Sequence, residues 1–355
     1  MKLKKMLLSF LTIALLITLV IPFSLVSAEE LPTSHSETLQ TTVPTSEINS
    51  EISVSHEQLA QSLGVTIGSY DELKSDPNAP RELYYYIEYS TEDPNTALST
   101  DSPTHKTSKI THIPKDQVQE FIEQKKSENN SLSLKVGGVV AKSELSPNNG
   151  QVNVKSTILE ITGSQPSKVA FDMKLYRGDV RGHTGYPVSS VEMALTGILG
   201  VQAGKSADYN FPVRKTGFYF AVVTVKVYEG YIIPSKVAEG DTLTTITLLN
   251  RDGTVYPFYY DYNAYRVMHE PATTNYPRGY LPNLGWGDTQ RKQFRADYLT
   301  AYPNHTVDWG QYVTEIHHIR PRLWGGDNSF YNLMPLPYSF HRGVVSPWWV
   351  GYPDN

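Results

Sequence analysis

From about residue 131 onward, apolar positions recur every second residue. Val169, Phe171, Met173 and Leu175 alternate with Ala170, Asp172 and Lys174, and Leu132, Leu134 and Val136 keep the same period. Successive side chains on a strand point to opposite faces, so this period predicts strands with one buried face. The run "GFYFAVVTVKVY" (217–228) is strongly β-prone. "TLTTITLLN" and "TVYPFYY", joined across Arg251-Asp252-Gly253, read as a hairpin. Several strands separated by turn residues predict a β-sandwich-like domain over 131–265.

The pattern differs on either side. In "SHEQLAQSLG", Ser55 and Gln58 have capping-box spacing, Leu59 and Leu63 share a face, and Gly64 suits a helix end. "ELYYYIEYS" (82–90) reads as a strand. "PKDQVQEFIEQKK" (114–126) reads as a helix, with Pro114 at its first turn and Val118, Phe121 and Ile122 on one face. These pieces predict a small α+β region over 55–130. Beyond the strand-rich part, Pro271 and Pro277 mark a linker at 266–277. "DTQRKQFRADYLTAY" (288–302) then has helical spacing. Phe294, Tyr298 and Tyr302 lie on one side, Asp288 is placed to cap, and Arg291, Lys292 and Arg295 make the helix basic.

The first residues read as a targeting segment. Lys2, Lys4 and Lys5 precede an apolar run from Met6 to Val20, and Val26-Ser27-Ala28 is a small-residue cleavage pattern. This predicts a signal peptide over 1–28, cleaved near Ala28, and a secreted, extracellular product. The run is short for a membrane span, and no second long apolar run follows, so stable membrane insertion is not expected. Residues 29–54, rich in Thr, Ser, Glu and Pro, predict a disordered linker.

Composition sharpens this picture in two ways. The chain has no Cys, which excludes disulfide staples and cysteine-bound structural zinc. Its net charge is -5, and loss of the three leader lysines makes it -8. An acidic average of this size excludes a bulk nucleic-acid binder, so any attraction to phosphate is local.

One stretch concentrates chemistry. "TEIHHIRPRLWGGDNSFYNLMPLPYSFHR" (314–342) holds three of the ten histidines. "VTEIHHI" is β-prone, Gly325-Gly326 permits a reversal, and a short helix can start near Pro337. The predicted order is strand, loop, strand or turn, helix, with histidines at both ends. Adjacent residues on a strand face opposite ways, so one of His317 and His318 can face a metal and the other an attacking water. His341 would be a second ligand. Two imidazoles leave positions for water and substrate, as a catalytic metal requires. A neutral imidazole can take the proton from water. Asn332 could bond the loop backbone and fix the base. Residue type alone leaves open which of the adjacent pair does what.

The segment resembles the HNH, or ββα-metal, family of endonucleases. The resemblance rests on His317, His318, Ile319-x-Pro321, Gly325-Gly326, Asn332-Leu333 and His341, in order and spacing. Glu315-Ile316-His317-His318 is also similar to the Glu-Leu-His-His start of nuclease colicins. The resemblance covers 278–355. It implies that His318 is the general base, that His317 and His341 hold one divalent metal ion, and that Asn332 supports the loop. It implies a supporting role for Glu315 behind the ligands. Colicin-type relatives carry a further His where this chain has Val345, so two protein ligands are expected. Mg²⁺, Mn²⁺, Ni²⁺ or Zn²⁺ all remain open as that ion. Arg320 and Arg322 flank the base and, with Arg295, are candidate phosphate contacts. Trp324, Trp348 and Trp349 are expected in the core. The segment carries seven Lys or Arg against six Asp or Glu, which implies modest, salt-sensitive nucleic-acid affinity.

The expectation is a multidomain α+β protein with an HNH nuclease domain at 278–355, hydrolysing DNA with little sequence preference. The arrangement is similar to antibacterial toxins, which would call for an immunity protein as partner. Cell-wall contact through the β-sandwich is a further expectation. Two alternatives stand beside this reading: an RNase on the same scaffold, and a cell-surface binding protein whose nuclease-like domain is inactive.

Overall fold

The computed structural model describes residues 38–41, 54–55, 58, 61–62, 81–90, 108, 110–131 and 136–352. The expected signal peptide, most of the expected linker and most of the expected helix at 55–64 lie outside the described residues. In chain order the strands are β1 (Thr38–Thr41), β2 (Val54–Ser55), β3 (Arg81–Ser90), β4 (Ile110–Ile113), β5 (Val136–Asn148), β6 (Gln151–Gly163), β7 (Lys168–Gly178) and β8 (Thr184–Thr196). They continue as β9 (Ser206–Pro212), β10 (Gly217–Glu229), β11 (Ser235–Leu243), β12 (Thr247–Leu249), β13 (Tyr260–Asp261), β14 (Arg266–Val267), β15 (Thr314–His318) and β16 (Leu333–Pro337). Helix α1 is Val118–Ser131 and α2 is Asp288–Ala301. After β16 come three contiguous helical pieces, Tyr338–Phe340, a π-helical His341–Val345, and Ser346–Val350. The protein is mixed α+β, dominated by antiparallel sheets.

One sheet runs β1-β8-β7-β10-β11, with β2 on β8 and β12 on β10; the other runs β4-β3-β5-β6-β9. The alternating residues of β7, Val169, Phe171, Met173 and Leu175, are all buried. They share one core with Tyr85 and Ile87 of β3, Val139 of β5 and Val152 of β6. Two sheets burying their inner faces against each other make a sandwich.

The sandwich begins earlier than the sequence pattern suggests. β3 pairs with β5 from Arg81↔Leu145 to Ser90↔Val136, so the expected boundary at 130 falls inside one sheet. The cause is the two-faced burial of "YYYIEY". Tyr85, Ile87 and Tyr89 enter the sandwich core, while Tyr86 meets Ile113, Ile122 and Phe121 beneath α1 on the outer face. Thr38–Thr41, inside the expected linker, pairs with the edge of β8. α2 buries Phe294 and Tyr298 as expected, but it is entered from Gly287, whose N–H donates to Gln290 Oε1 at 2.9 Å. Asp288 is therefore inside the helix and is not its cap.

The first part of β10, residues 217–221, is buried on both faces. Tyr219, Ala221, Val223, Val225 and Val227 face the sandwich core. Phe218 and Phe220 join a second core with Tyr176, Leu248, Tyr256, Trp324, Met334, Leu336, Val345, Trp348 and Trp349. A strand covered on both sides reads as a continuous apolar run, which is why "GFYFAVV" does not alternate. Trp324, Trp348 and Trp349 are core residues, as expected.

Two further joints fix the C-terminal part to the sheet. In the turn after β12, Asn250 Oδ1 accepts from the N–H groups of Asp252 (3.1 Å) and Thr254 (2.9 Å). Its Nδ2 donates to the Trp348 carbonyl at 3.1 Å, and Trp348 Nε1 donates to the Thr254 carbonyl at 2.9 Å. A side chain at Gly351 would collide with Asn250 and Asp252. The segment expected as a linker is a strap: Thr274 donates to Asp179 through both its N–H and its hydroxyl (each 2.9 Å), and Arg181 pairs with Glu270. Met268 is buried in the second core.

Trp348→Ala should cost about 3–5 kcal/mol, because it removes a fully buried ring and strands the Thr254 carbonyl. Ending the chain at residue 270 should lower the urea midpoint of what remains, because Phe218 and Phe220 lose their cover. A truncated chain as stable as the full one would show the sandwich to be independent of the C-terminal part.

Candidate active site

β15 and β16 form an antiparallel hairpin in which His317 lies opposite Met334 and His318 opposite Leu333. The chain then turns into the helical segment that carries His341. The strand–loop–strand–helix order expected from the pattern is present, with histidines at both ends.

The loop from 319 to 332 is held by Asn332. Its Oδ1 accepts from the Arg320 N–H at 2.8 Å, and its Nδ2 donates to the carbonyls of Arg320 (3.1 Å) and Asp327 (2.7 Å). Gly326 lets the chain close on itself, because a Cβ there would strike the Arg320 carbonyl. Gly325 has φ of 74°, a region side chains disfavour. Asn332 is thus a positioning residue. It shapes the loop and is absent from the cleft wall.

The histidines differ in environment. His317 is 4% exposed, and its Nε2 is buried with no hydrogen-bond partner. Burial, reinforced by the charges of His341 and His318, drives its pKa well below the ordinary 6.5. Its ring lies 4.8 Å from that of His341, centroid to centroid. His341 Nδ1 bonds Glu315 Oε2 at 2.6 Å. The Arg342 guanidinium grips the same carboxylate with two bonds, 2.8 and 2.7 Å. Chiefly through Arg342, and also through His341, the Glu315 carboxyl stays below its usual range despite burial. An ionised carboxylate only accepts, so His341 carries a proton on Nδ1, which in the neutral ring leaves the lone pair on Nε2. Carboxylate support of an imidazole in this way is common behind metal ligands.

His318 has a different partner. Its Nε2 lies 2.9 Å from Asn328 Oδ1, and Asn328 Nδ2 donates to the Gly285 carbonyl at 2.7 Å. That second bond fixes the amide, so Oδ1 is the acceptor and His318 holds its proton on Nε2. The lone pair of the neutral ring is then on Nδ1. Burial lowers the His318 pKa, with the Arg322 charge adding to it and the Asn328 bond opposing. Trp286 packs its ring 4.5 Å from the imidazole.

These groups line a cleft of about 940 Å³. Its wall carries Arg251, Arg278, Arg291, Arg295, Arg322 and Arg342, and Glu315 is its one acidic residue. Four buried polar atoms without a partner belong to residues of this wall: His317 Nε2, Arg295 Nε, Arg322 Nε and Trp349 Nε1. Buried polar groups are almost always satisfied, so four such atoms on the residues of one wall set it apart from an ordinary packed surface. Among the described residues, no group of three or more His, Cys, Asp or Glu is set to hold a metal. The fit to a metal is therefore a two-imidazole fit, through the orphan Nε2 of His317 and the lone pair of His341 Nε2.

Of the expected residues, the structure brings His317, His318, His341, Glu315, Arg322 and Arg295 to one cleft. Asn332 is off its wall, and so is Arg320. Its Nε donates to the Trp324 carbonyl at 2.6 Å, its guanidinium lies 3.9 Å from the Tyr276 ring centre, and it braces the loop. So engaged, it is not among the residues that line the cleft. Sequence reasoning passed over Asn328, Trp286, Tyr280, Arg278, Arg342 and Arg251. Arg342 directly follows a motif histidine, which was a usable signal; the loop around Asn328 carried none.

Comparison of the chain with protein-family models, curated proteins and solved structures finds no match.

Because His317 is buried neutral, it binds a proton more readily in the unfolded chain. Its contribution to stability is complete above the unfolded value of 6.5 and falls as pH drops below it. The metal-free protein should therefore lose thermal stability below pH 6.5, and His317→Gln should flatten that loss. Melting curves across pH would check this, and an unchanged slope in the variant would contradict it.

Proposed function

We propose that the chain is a metal-dependent endonuclease of the HNH type, exported and hydrolysing phosphodiester bonds of DNA. The observation that carries this reading is the histidine set. A buried imidazole with no partner on its Nε2 lies beside a second one fixed by a carboxylate, and a third neutral imidazole stands next in sequence with a defined lone pair. The order of residues along the chain agrees with the HNH pattern.

The roles that the resemblance implies are compatible with this geometry. His317 and His341 would hold a divalent cation through their Nε2 atoms. A divalent cation there would neutralise charge on a phosphate oxygen and assist the leaving oxygen. His318 Nδ1 accepts the proton of the attacking water; its lowered pKa keeps it neutral and ready at neutral pH. Glu315 holds the His341 tautomer and anchors Arg342. Arg322 and Arg295 bring positive charge to the cleft wall, where it would attract the phosphate. Asn332 keeps the loop that follows the base in shape.

Purified protein stripped with EDTA should leave plasmid intact and regain nicking when Mg²⁺, Mn²⁺, Ni²⁺ or Zn²⁺ is restored. His318→Ala should lower the rate about 10²–10⁴-fold, the range typical for loss of a general base. An RNA substrate run in parallel decides between DNase and RNase. Cleavage that survives EDTA, or equal cleavage by the variant, would contradict the proposal.

Glu315→Gln should weaken metal binding about 10–100-fold, the range for a partner behind a ligand. Competition with a chelating dye measures this. Unchanged affinity would remove Glu315 from the site.

A further inference from the structure

The cleft wall is not built from the histidine segment alone. Arg251 belongs to the turn after β12, part of the sandwich sheet, yet it lines the same cleft as the histidines. Its position is fixed twice over. Its N–H donates to the Gly351 carbonyl at 3.2 Å, and its guanidinium reaches the Val350 carbonyl at 3.5 Å. The turn itself is locked by Asn250 and by Trp348, whose bonds close the joint on either side. The Arg251 side chain remains 46% exposed. Its carboxylate neighbour Asp252 lies 4.0 Å from Nε, a loose pairing, and faces solvent.

A second observation points to the same wall. Five other arginines line the cleft against one acid, Glu315. A tethered, half-exposed guanidinium in such a wall fits an anionic oxygen, and six of them together fit a polymer of phosphates.

We infer that Arg251 forms an outlying phosphate subsite, so that the β-sandwich supplies part of the nucleic-acid site. The substrate strand extends beyond the scissile bond onto the joint between the sandwich and the C-terminal helical segment. This inference rests on the nuclease reading for the class of polymer, but it concerns binding, which needs neither metal nor bond cleavage. Arg251 acts on the strand as a positioning residue, remote from the reacting atoms.

The test uses the full chain in EDTA, with fluorescence anisotropy of a labelled single-stranded DNA oligonucleotide. Arg251→Ala should raise Kd several-fold and make the log Kd against log salt slope shallower by roughly 0.7–1, the loss of one phosphate contact. Arg251→Lys should recover most of the slope, because the charge is kept. Lys205→Ala, an exposed cation outside the cleft, controls for net charge and should leave both unchanged. Circular dichroism melts confirm that each variant is folded. In metal-restored cleavage, Arg251→Ala should raise KM more than it lowers kcat. An unaltered Kd and slope in Arg251→Ala, an equal effect from Lys205→Ala, or no binding by the wild type would each overturn the subsite. Tight, Arg251-dependent binding with no cleavage under any metal would sink the nuclease reading and leave the subsite standing.

Discussion

The structure turns on the burial of the first part of β10 from both sides. Odd-numbered residues from Tyr219 to Val227 fill the space between the two sheets. Phe218 and Phe220, pointing the other way, would face water were it not for the aromatic cluster of the C-terminal segment. Burying each such ring is worth about 1.5–3 kcal/mol. Removing the cover would therefore cost several kcal/mol on those two side chains alone, a large fraction of a typical domain's stability. This second core clamps Met334 and Leu336 of the hairpin and Val345 of the helical segment against one immobile surface. The histidines on either side of those residues inherit that rigidity.

Placement then sets the chemistry. His317 sits on a strand whose partner residue, Met334, belongs to the second core, and its burial removes the water that would stabilise a charged ring. The same low-dielectric setting that keeps the ring neutral leaves a lone pair available for a metal. His341 reaches the pair from the helix, and the ionised Glu315 determines which of its nitrogens carries the proton. His318 has its tautomer set by an amide that is itself fixed by a backbone carbonyl. Three imidazoles within one cleft therefore sit in three settings: His317 buried with no partner on Nε2, His341 bonded to Glu315, and His318 bonded to Asn328.

The sequence carried part of this openly. The alternation at 169–175, the apolar face of 118–122 and the hairpin at Arg251-Asp252-Gly253 are all where the pattern places them, because each depends on neighbours close along the chain. The spacing of His317, His318, Asn332 and His341 likewise foretold a hairpin followed by a helix. What the pattern concealed depends on contacts far apart in sequence. β3 joins β5 across a boundary that composition suggested, and the prolines of 266–277 announced a spacer where Thr273 and Thr274 make a strap. Arg320 and Arg322 look equivalent on the loop, yet the first is held against Trp324 and Tyr276 and only the second reaches the cleft. The non-alternating start of β10 was the one legible sign of a second core, since only a strand covered on both faces can dispense with polar positions.

The central claim is the division of labour among three imidazoles, and side-chain nitrogen NMR reads it directly. In the metal-free protein at neutral pH, long-range proton–nitrogen correlation spectra should show His341 protonated on Nδ1 and His318 protonated on Nε2. On titration with Zn²⁺, the Nε2 signals of His317 and His341 should move together while the nitrogen signals of His318 keep their tautomer pattern. If His318 shifts as a ligand, or if His317 and His341 do not respond together, the assignment of base and metal holders is wrong.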